Sequence, residues 1–202
     1  MSETVKKIQI LVDVNPDGIY GKKTNAAILD AIRQGITFDG YKAPILPQSV
    51  LRSNASIYGV FGDENNIVSV KIPEDYPLCY EGIRLKTIRI HRLLEDRMEA
   101  ILKDTIAEYG ENIAEMAPGL CNYSGSFNAR KTTGGGAYSI HGYGAAIDMD
   151  AEYNTYSMSH TRARLARSEY ETFWSIVREH GGYPLGKRSD CDWMHYQFAS
   201  WE

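Results

Sequence analysis

Two short segments concentrate residue types able to do chemistry. In SIHGYGAAIDMD, Ser139 to Asp150, His141 and Asp148 stand seven residues apart among glycine, alanine and isoleucine. Charged groups enter apolar company when something neutralises them. An imidazole and a carboxylate together suit a divalent ion, zinc before others. The spacing alone fits a buried His–Asp ion pair equally well. The second segment, DCDWMHYQF, places Asp192 three residues before His195, beside Trp193, Tyr196 and Phe198. His195 would complete a His–Asp–His donor set that leaves a fourth position open to water, as in catalytic zinc sites. Asp192, sharing a turn or strand end with His195, is then the carboxylate placed to take a proton from that water. A structural zinc, or plain surface acids, is the competing reading.

A third segment, NYSGSFNARKTTGGG, supplies a cation. Arg130 precedes a glycine-rich loop that leads into Ser139 and His141. A guanidinium there can bind a peptide carboxylate or stabilise a tetrahedral oxyanion, and Ser139 can hydrogen-bond substrate from the loop. Lys131 competes with Arg130 for the cationic role. No G-K-[ST] follows the glycines, so they read as a substrate-side loop and not as a phosphate cradle.

These residues need elements to hold them. GAAIDMDA alternates as a short strand does, with Ala146, Asp148 and Asp150 on one side and Ala145, Ile147 and Met149 on the other. Asp150 reads as a supporting or surface residue and not as a further ligand. Small residues at Gly142, Gly144, Ala145 and Ala146 let other backbone approach closely. NNIVSVKIP predicts another strand. Residues 85–109 predict a helix with Ile90, Leu93, Leu94, Met98, Ile101, Leu102 and Ile106 on one face and Gly110 after its end. His91 would then be a surface histidine at the helix start. TRARLARSEYETFWSIVREHGG predicts a second helix, stopped by Gly181 and Gly182, with His180 as a partner at its C-terminus and His160 capping it or solvated.

The chain has 202 residues, 43% of them apolar and 24% charged, with a formal net charge of -4. That bounds it to one domain with room for an appendage, and it excludes the basic footprint of a nucleic-acid binder. No run approaches the length of a membrane helix. The N-terminus lacks the order of a signal peptide, so synthesis and retention in the cytosol are expected unless another system releases the protein. Cys79, Cys121 and Cys191 are odd in number and form no C-x-x-C pair, which favours free thiols. A thiolate ligand from Cys191, next to Asp192, is the minority reading. Residues 4–34 read as two short helices around NPDG, with Thr24 near the second N-terminus and Gly35 as its stop.

The N-terminal stretch VKKIQ…NPDGIYGKKTNAAILDAI…GITFDG resembles the short three-helix peptidoglycan-binding module found beside many wall hydrolases. The match lies in V-x-x-x-Q, in D-G-I-Y-G-x-x-T and in the second D-G at Asp39 and Gly40. The module's third helix has no counterpart in YKAPILPQSV. The later motifs are similar to those of the zinc D-alanyl-D-alanine carboxypeptidase and L-alanyl-D-glutamate endopeptidase family, which includes many bacteriophage endolysins. Ser139, His141, Gly144, Ala146 and Asp148 meet its S-x-H-x-x-G-x-A-x-D, and Asp192 with His195 meets its acid-x-x-His. SFNARKTTGG and VSVKIP match the upstream segments of the phage branch loosely.

The resemblance implies an α+β fold in which an antiparallel sheet with flanking helices holds zinc through His141, Asp148 and His195, preceded by the small helical module. Asp192 would be the general base, Arg130 the transition-state cation, and Ser139 and Arg130 the substrate contacts. The expected organisation is a module over 1–45, a linker over 46–65 and a zinc peptidase domain over 66–202. The expected partner is bacterial peptidoglycan, with no nucleic acid, no membrane insertion and a monomeric chain. A phage-encoded enzyme released onto the wall fits the N-terminus. The alternatives are a non-catalytic, zinc-stabilised wall-binding or virion protein, and a D-Ala-D-Ala dipeptidase.

Overall fold

Alternating β-branched residues build the first sheet. In the computed structural model, which describes residues 58–132 and 136–199 together with Lys6, Gln9, Val12, 14–19, 21–24 and 26–27, strand β1 is Ile67–Lys71. A small hairpin follows, β2 (Cys79–Tyr80) with β3 (Ile83–Arg84). Strand β4 (Thr87–His91) then pairs antiparallel with β1, with Ile67 opposite His91 and Lys71 opposite Thr87.

Strand β4 corrects the helix expected from residue 85. Thr87, Ile88, Arg89 and Ile90 alternate exposed and buried, the period of a strand, and β1 supplies the partner. A turn of 3-10 helix at Arg92–Leu94 intervenes, and helix α1 runs only over Glu95–Tyr109. Met98, Ile101, Leu102 and Ile106 face the core as the periodicity requires, whereas Leu93 stays outside. His91 is therefore no helix-surface residue. It is buried at the strand end, its Nδ1 accepts the Leu93 N–H at 3.1 Å, and its ring meets Tyr58 edge-on at 5.0 Å. Burial first, then the charge of Arg92, pushes its pKa down to about 4 against the backbone of Tyr58.

A short helix α2 (Ile113–Met116) leads into a four-stranded antiparallel sheet ordered β5-β6-β8-β7. Its strands are β5 (Tyr123–Gly125), β6 (Ala146–Met149), β7 (Tyr183–Pro184) and β8 (His195–Gln197). Between β6 and β7 lies α3 (Glu171–Glu179), and α4 (Leu185–Ser189) precedes β8. Helix α3 packs on α1 and carries Phe173 and Trp174 into the core. The fold is thus α+β, with antiparallel sheets.

The second expected helix is shorter than its pattern. Residues 164–166 and 168–170 form separate 3-10 turns before α3 begins. Side chains from elsewhere take their backbone groups: Asn154 Oδ1 accepts the Leu165 N–H at 2.7 Å, and Trp174 Nε1 donates to the Leu165 carbonyl at 2.7 Å. A backbone already satisfied in this way has no need of a helical ladder. The stop at Gly181 and Gly182 falls where expected, and His180 reaches Asp104 at 2.6 Å.

The described N-terminal residues form one polar knot. The buried Gln9 amide donates to Asp17 Oδ1 at 2.7 Å, the Ile19 carbonyl at 3.0 Å and Thr24 Oγ1 at 3.0 Å, while Gly18 N–H donates to Gln9 Oε1 at 2.8 Å. The glutamine, D-G turn and threonine of the module motif therefore hold one another. Val5, Ile8, Leu11, Gly35, Asp39-Gly40 and YKAPILPQSV lie outside the described residues. The described end of the expected linker is packed: Tyr58 is buried and donates to the Phe198 carbonyl at 3.0 Å, and Phe61 stacks on Tyr138 with centroids 4.2 Å apart. Among the described residues no helix is long and apolar enough to cross a membrane.

Candidate metal centre

The two motifs meet through strand pairing. Asp148 on β6 lies directly opposite His195 on β8, so both side chains leave the same face of the sheet. His141 arrives from the 3-10 turn Ile140–Tyr143, which Ser139 caps by accepting the His141 N–H at 3.3 Å. Two glycines let that turn close. A Cβ on Gly142 would sit 2.0 Å from the Phe61 ring. Gly144 has φ +67° and lies so near β4 that its carbonyl accepts the His91 N–H at 2.8 Å.

The three side chains converge at bonding distances. His141 Nε2 lies 3.1 Å from Asp148 Oδ2 and 3.2 Å from His195 Nδ1, and His195 Nδ1 lies 2.8 Å from Asp148 Oδ1. Each imidazole is tied on its far side. His141 Nδ1 is 2.7 Å from the Ser126 carbonyl, which can only accept, so that nitrogen carries the proton. His195 Nε2 is 3.1 Å from Gln197 Oε1, whose orientation follows from Gln197 Nε2 donating to the Ala199 carbonyl at 2.9 Å. With both far nitrogens donating, two lone pairs and a carboxylate face one another. All three groups are nearly inaccessible, with side-chain exposures of 3%, 14% and 10% for His141, Asp148 and His195.

Acceptors at such separations require a positive charge among them, a proton or a cation. Burial opposes ionisation of Asp148, yet hydrogen bonds with His141 and His195 outweigh it and hold its carboxyl far below the usual range. Burial likewise opposes charge on His195, and Asp148 reverses that, raising the imidazole above its ordinary value. The same pull acts on a metal ion. Ligand atoms around a tetrahedral ion with bonds of about 2.0–2.1 Å stand roughly 3.3 Å apart, close to the spacings found here. This buried cluster can hold a metal ion, and among the described residues it is the group of histidine, cysteine, aspartate and glutamate side chains spaced to do so. Cys191 lies outside it, so the thiolate alternative is not assembled; all three cysteines are free.

Asp192 borders the cluster without belonging to it. Its backbone is left-handed, φ 56°, held by its N–H donating to the Tyr156 carbonyl at 2.9 Å and its carbonyl accepting from His195 N–H at 3.1 Å. Its Oδ1 is buried and has no hydrogen-bond partner among the described residues. Burial raises its pKa above the ordinary carboxylate value; His195, His141 and Arg130 pull it down, and Asp148 pushes it up. A carboxylate of raised basicity with a free oxygen is equipped to accept a proton.

The segment before His141 decides between the two cations. Asn128 N–H donates to the His141 carbonyl, Ser139 N–H to the Arg130 carbonyl and Thr132 N–H to the Ala137 carbonyl, while Lys131 bridges Tyr138. In this antiparallel register Lys131 stands opposite Tyr138, and of the two cations it is the charge of Arg130 that acts on Asp192. Arg130 is exposed at the rim, its Nη1 donating to the Lys131 carbonyl at 3.3 Å. Ser139 is buried and engaged in its cap.

Asp150 turns away from the site. The strand ends at Met149, Asp150 adopts φ 53°, and its buried carboxylate accepts from Arg164, Asn154 and Asn122. It shares no face with Asp148 and is a structural anchor. His160 pairs with Asp190 at 2.8 Å, on the loop that carries Asp192. The residues not foreseen are Ser126 and Gln197. Gln197 follows His195 by two, the strand spacing that puts both on one face, whereas Ser126 contributes a backbone carbonyl for which no residue type is diagnostic. Comparison of the chain with protein-family models, with curated proteins and with solved structures finds no match.

Proposed function

We propose that this chain is a zinc-dependent peptidase acting on the stem peptides of bacterial peptidoglycan, in the manner of an endolysin. The observation that carries the reading is the joint arrangement of His141 Nε2, Asp148 and His195 Nδ1 around one point, together with Asp192, on which the charges of all three act and whose Oδ1 has no partner among the described residues. Two histidines and one carboxylate leave a tetrahedral ion one open position, the mark of catalytic as opposed to structural zinc. Zinc, when bound, supplies Lewis-acid polarisation of the scissile carbonyl and makes water more acidic.

The chain's own residues do the rest. His141 and His195 present lone pairs because their far nitrogens are committed to donating. Asp192 takes a proton from the attacking water on its carboxylate and returns it to the departing amine. Arg130, whose charge acts on Asp192, binds negative charge developing on the carbonyl oxygen or a terminal carboxylate of the substrate. The substrate class rests on the motif resemblance and on the resemblance of the N-terminal segment to a wall-binding module, in which Gln9, Asp17, Gly18 and Thr24 are hydrogen-bonded to one another.

The test is incubation of the purified chain with peptidoglycan and identification of the new end groups. Free D-alanine identifies a carboxypeptidase, and a new amino terminus on D-glutamate identifies an endopeptidase. Absence of any new end from zinc-loaded protein overturns the peptidase reading in favour of a zinc-stabilised wall-binding protein.

A further inference from the structure

We infer that Gln197 is a positioning residue which selects the nitrogen His195 turns toward the metal; the inference rests on the metal reading above. An imidazole can offer either ring nitrogen, and the hydrogen bond made by the other one decides which. For His195 that bond is to a side chain. Gln197 Oε1 accepts from Nε2 at 3.1 Å, and the amide cannot rotate to present its NH2 without losing its 2.9 Å bond to the Ala199 carbonyl. With the Nε2 proton held there, Nδ1 keeps its lone pair toward Asp148 and His141. The opposite tautomer would put an N–H where the ion belongs.

The surrounding register makes room for this clamp. Gln197 lies directly opposite Ala146 on β6, as His195 lies opposite Asp148. Both Ala146 and Gln197 are buried, so a larger side chain at 146 would contest the space of the amide. The alanine two residues before the aspartate ligand and the glutamine two residues after the histidine ligand thus form one cross-strand pair. His141 needs no such residue, because the Ser126 carbonyl at 2.7 Å sets its tautomer. The two histidines are oriented by different means, and only that of His195 is open to substitution.

The experiment uses the full chain loaded with zinc and two readouts, zinc affinity by chelator competition and the protonated nitrogen of His195 by 15N NMR. In the wild type His195 is expected to bind zinc through Nδ1 and carry its proton on Nε2. Gln197→Leu is expected to weaken zinc binding roughly 10- to 100-fold, and Gln197→Glu, which keeps the acceptor, to restore it. Zinc held through Nε2 in the wild type overturns the inference whatever the variants do, so a Gln197→Leu chain that fails to fold leaves it open to refutation. Equal affinity in wild type and Gln197→Leu overturns it alone and leaves the metal reading standing. A folded wild type that binds no zinc overturns both.

Discussion

Asp148 and His195 face each other across the β6–β8 ladder with Nδ1 and Oδ1 2.8 Å apart, although 46 residues separate them in the chain. Neither is held by its own loop. The sheet positions both, which makes the pair rigid in the way a site for an ion must be.

Metal content follows directly from that pairing. The wild type should bind one zinc ion per chain by elemental analysis, and His195→Ala or Asp148→Asn should abolish stoichiometric binding. Removal of the ion by a chelator should abolish peptidoglycan cleavage, and added Zn2+ should restore it. Retention of full zinc by either variant would contradict the assignment of these ligands.

Asp192→Asn should separate chemistry from metal binding. Asparagine tolerates the left-handed backbone at this position, so the fold and zinc content should persist. The rate of cleavage should fall on the order of 100- to 10,000-fold, the contribution of a general base. A rate within a few-fold of wild type would remove Asp192 from the reaction.

The acid side of the pH profile should respond to Arg130. Cleavage needs ionised Asp192, whose pKa burial already raises while Arg130 lowers it. Removing the cation in Arg130→Met takes away one lowering influence, so the pKa rises and activity is lost at a higher pH than in the wild type. Lys131→Met, at the residue paired with Tyr138, should leave the acid limb in place.

His91 makes stability pH-dependent. Its folded pKa, about 4, lies below the ordinary 6.5, so its contribution is complete above pH 6.5 and is lost as pH falls through 4. A shift of that size corresponds to something on the order of 3 kcal/mol. Charging the ring also requires a proton on Nδ1, which ends the cap to Leu93 N–H. His91→Asn keeps a capping acceptor and should flatten the fall in unfolding free energy between pH 6.5 and 4, measured by denaturant titration.

Arg164→Ala tests whether Asp150 is structural. Loss of the guanidinium leaves a buried carboxylate with only Asn122 and Asn154 as side-chain partners. Destabilisation of roughly 3–5 kcal/mol is expected for a broken buried pair, with zinc affinity of the surviving folded protein unchanged. Loss of zinc binding at unaltered stability would return Asp150 to the site.

Residue type and short spacing were enough to bring out His141, Asp148 and His195, because groups able to hold a metal ion come from a small chemical set. The same reading drew a helix through Thr87–His91, where apolar residues suited either period and only the partner strand β1 decided. It left Arg130 and Lys131 as rivals, since only the folded chain brings the charge of Arg130 to bear on Asp192. It put Asp150 beside Asp148, because alternation assumes that the strand continues, and the left-handed backbone at 150 ends it. Local chemistry is written in the residues themselves. Which atoms meet is a property of register and chain reversal, and so the contacts of His141 with the Ser126 carbonyl and of His195 with Gln197, and the anchoring of Asp150 by Arg164, were decided only by the tertiary structure.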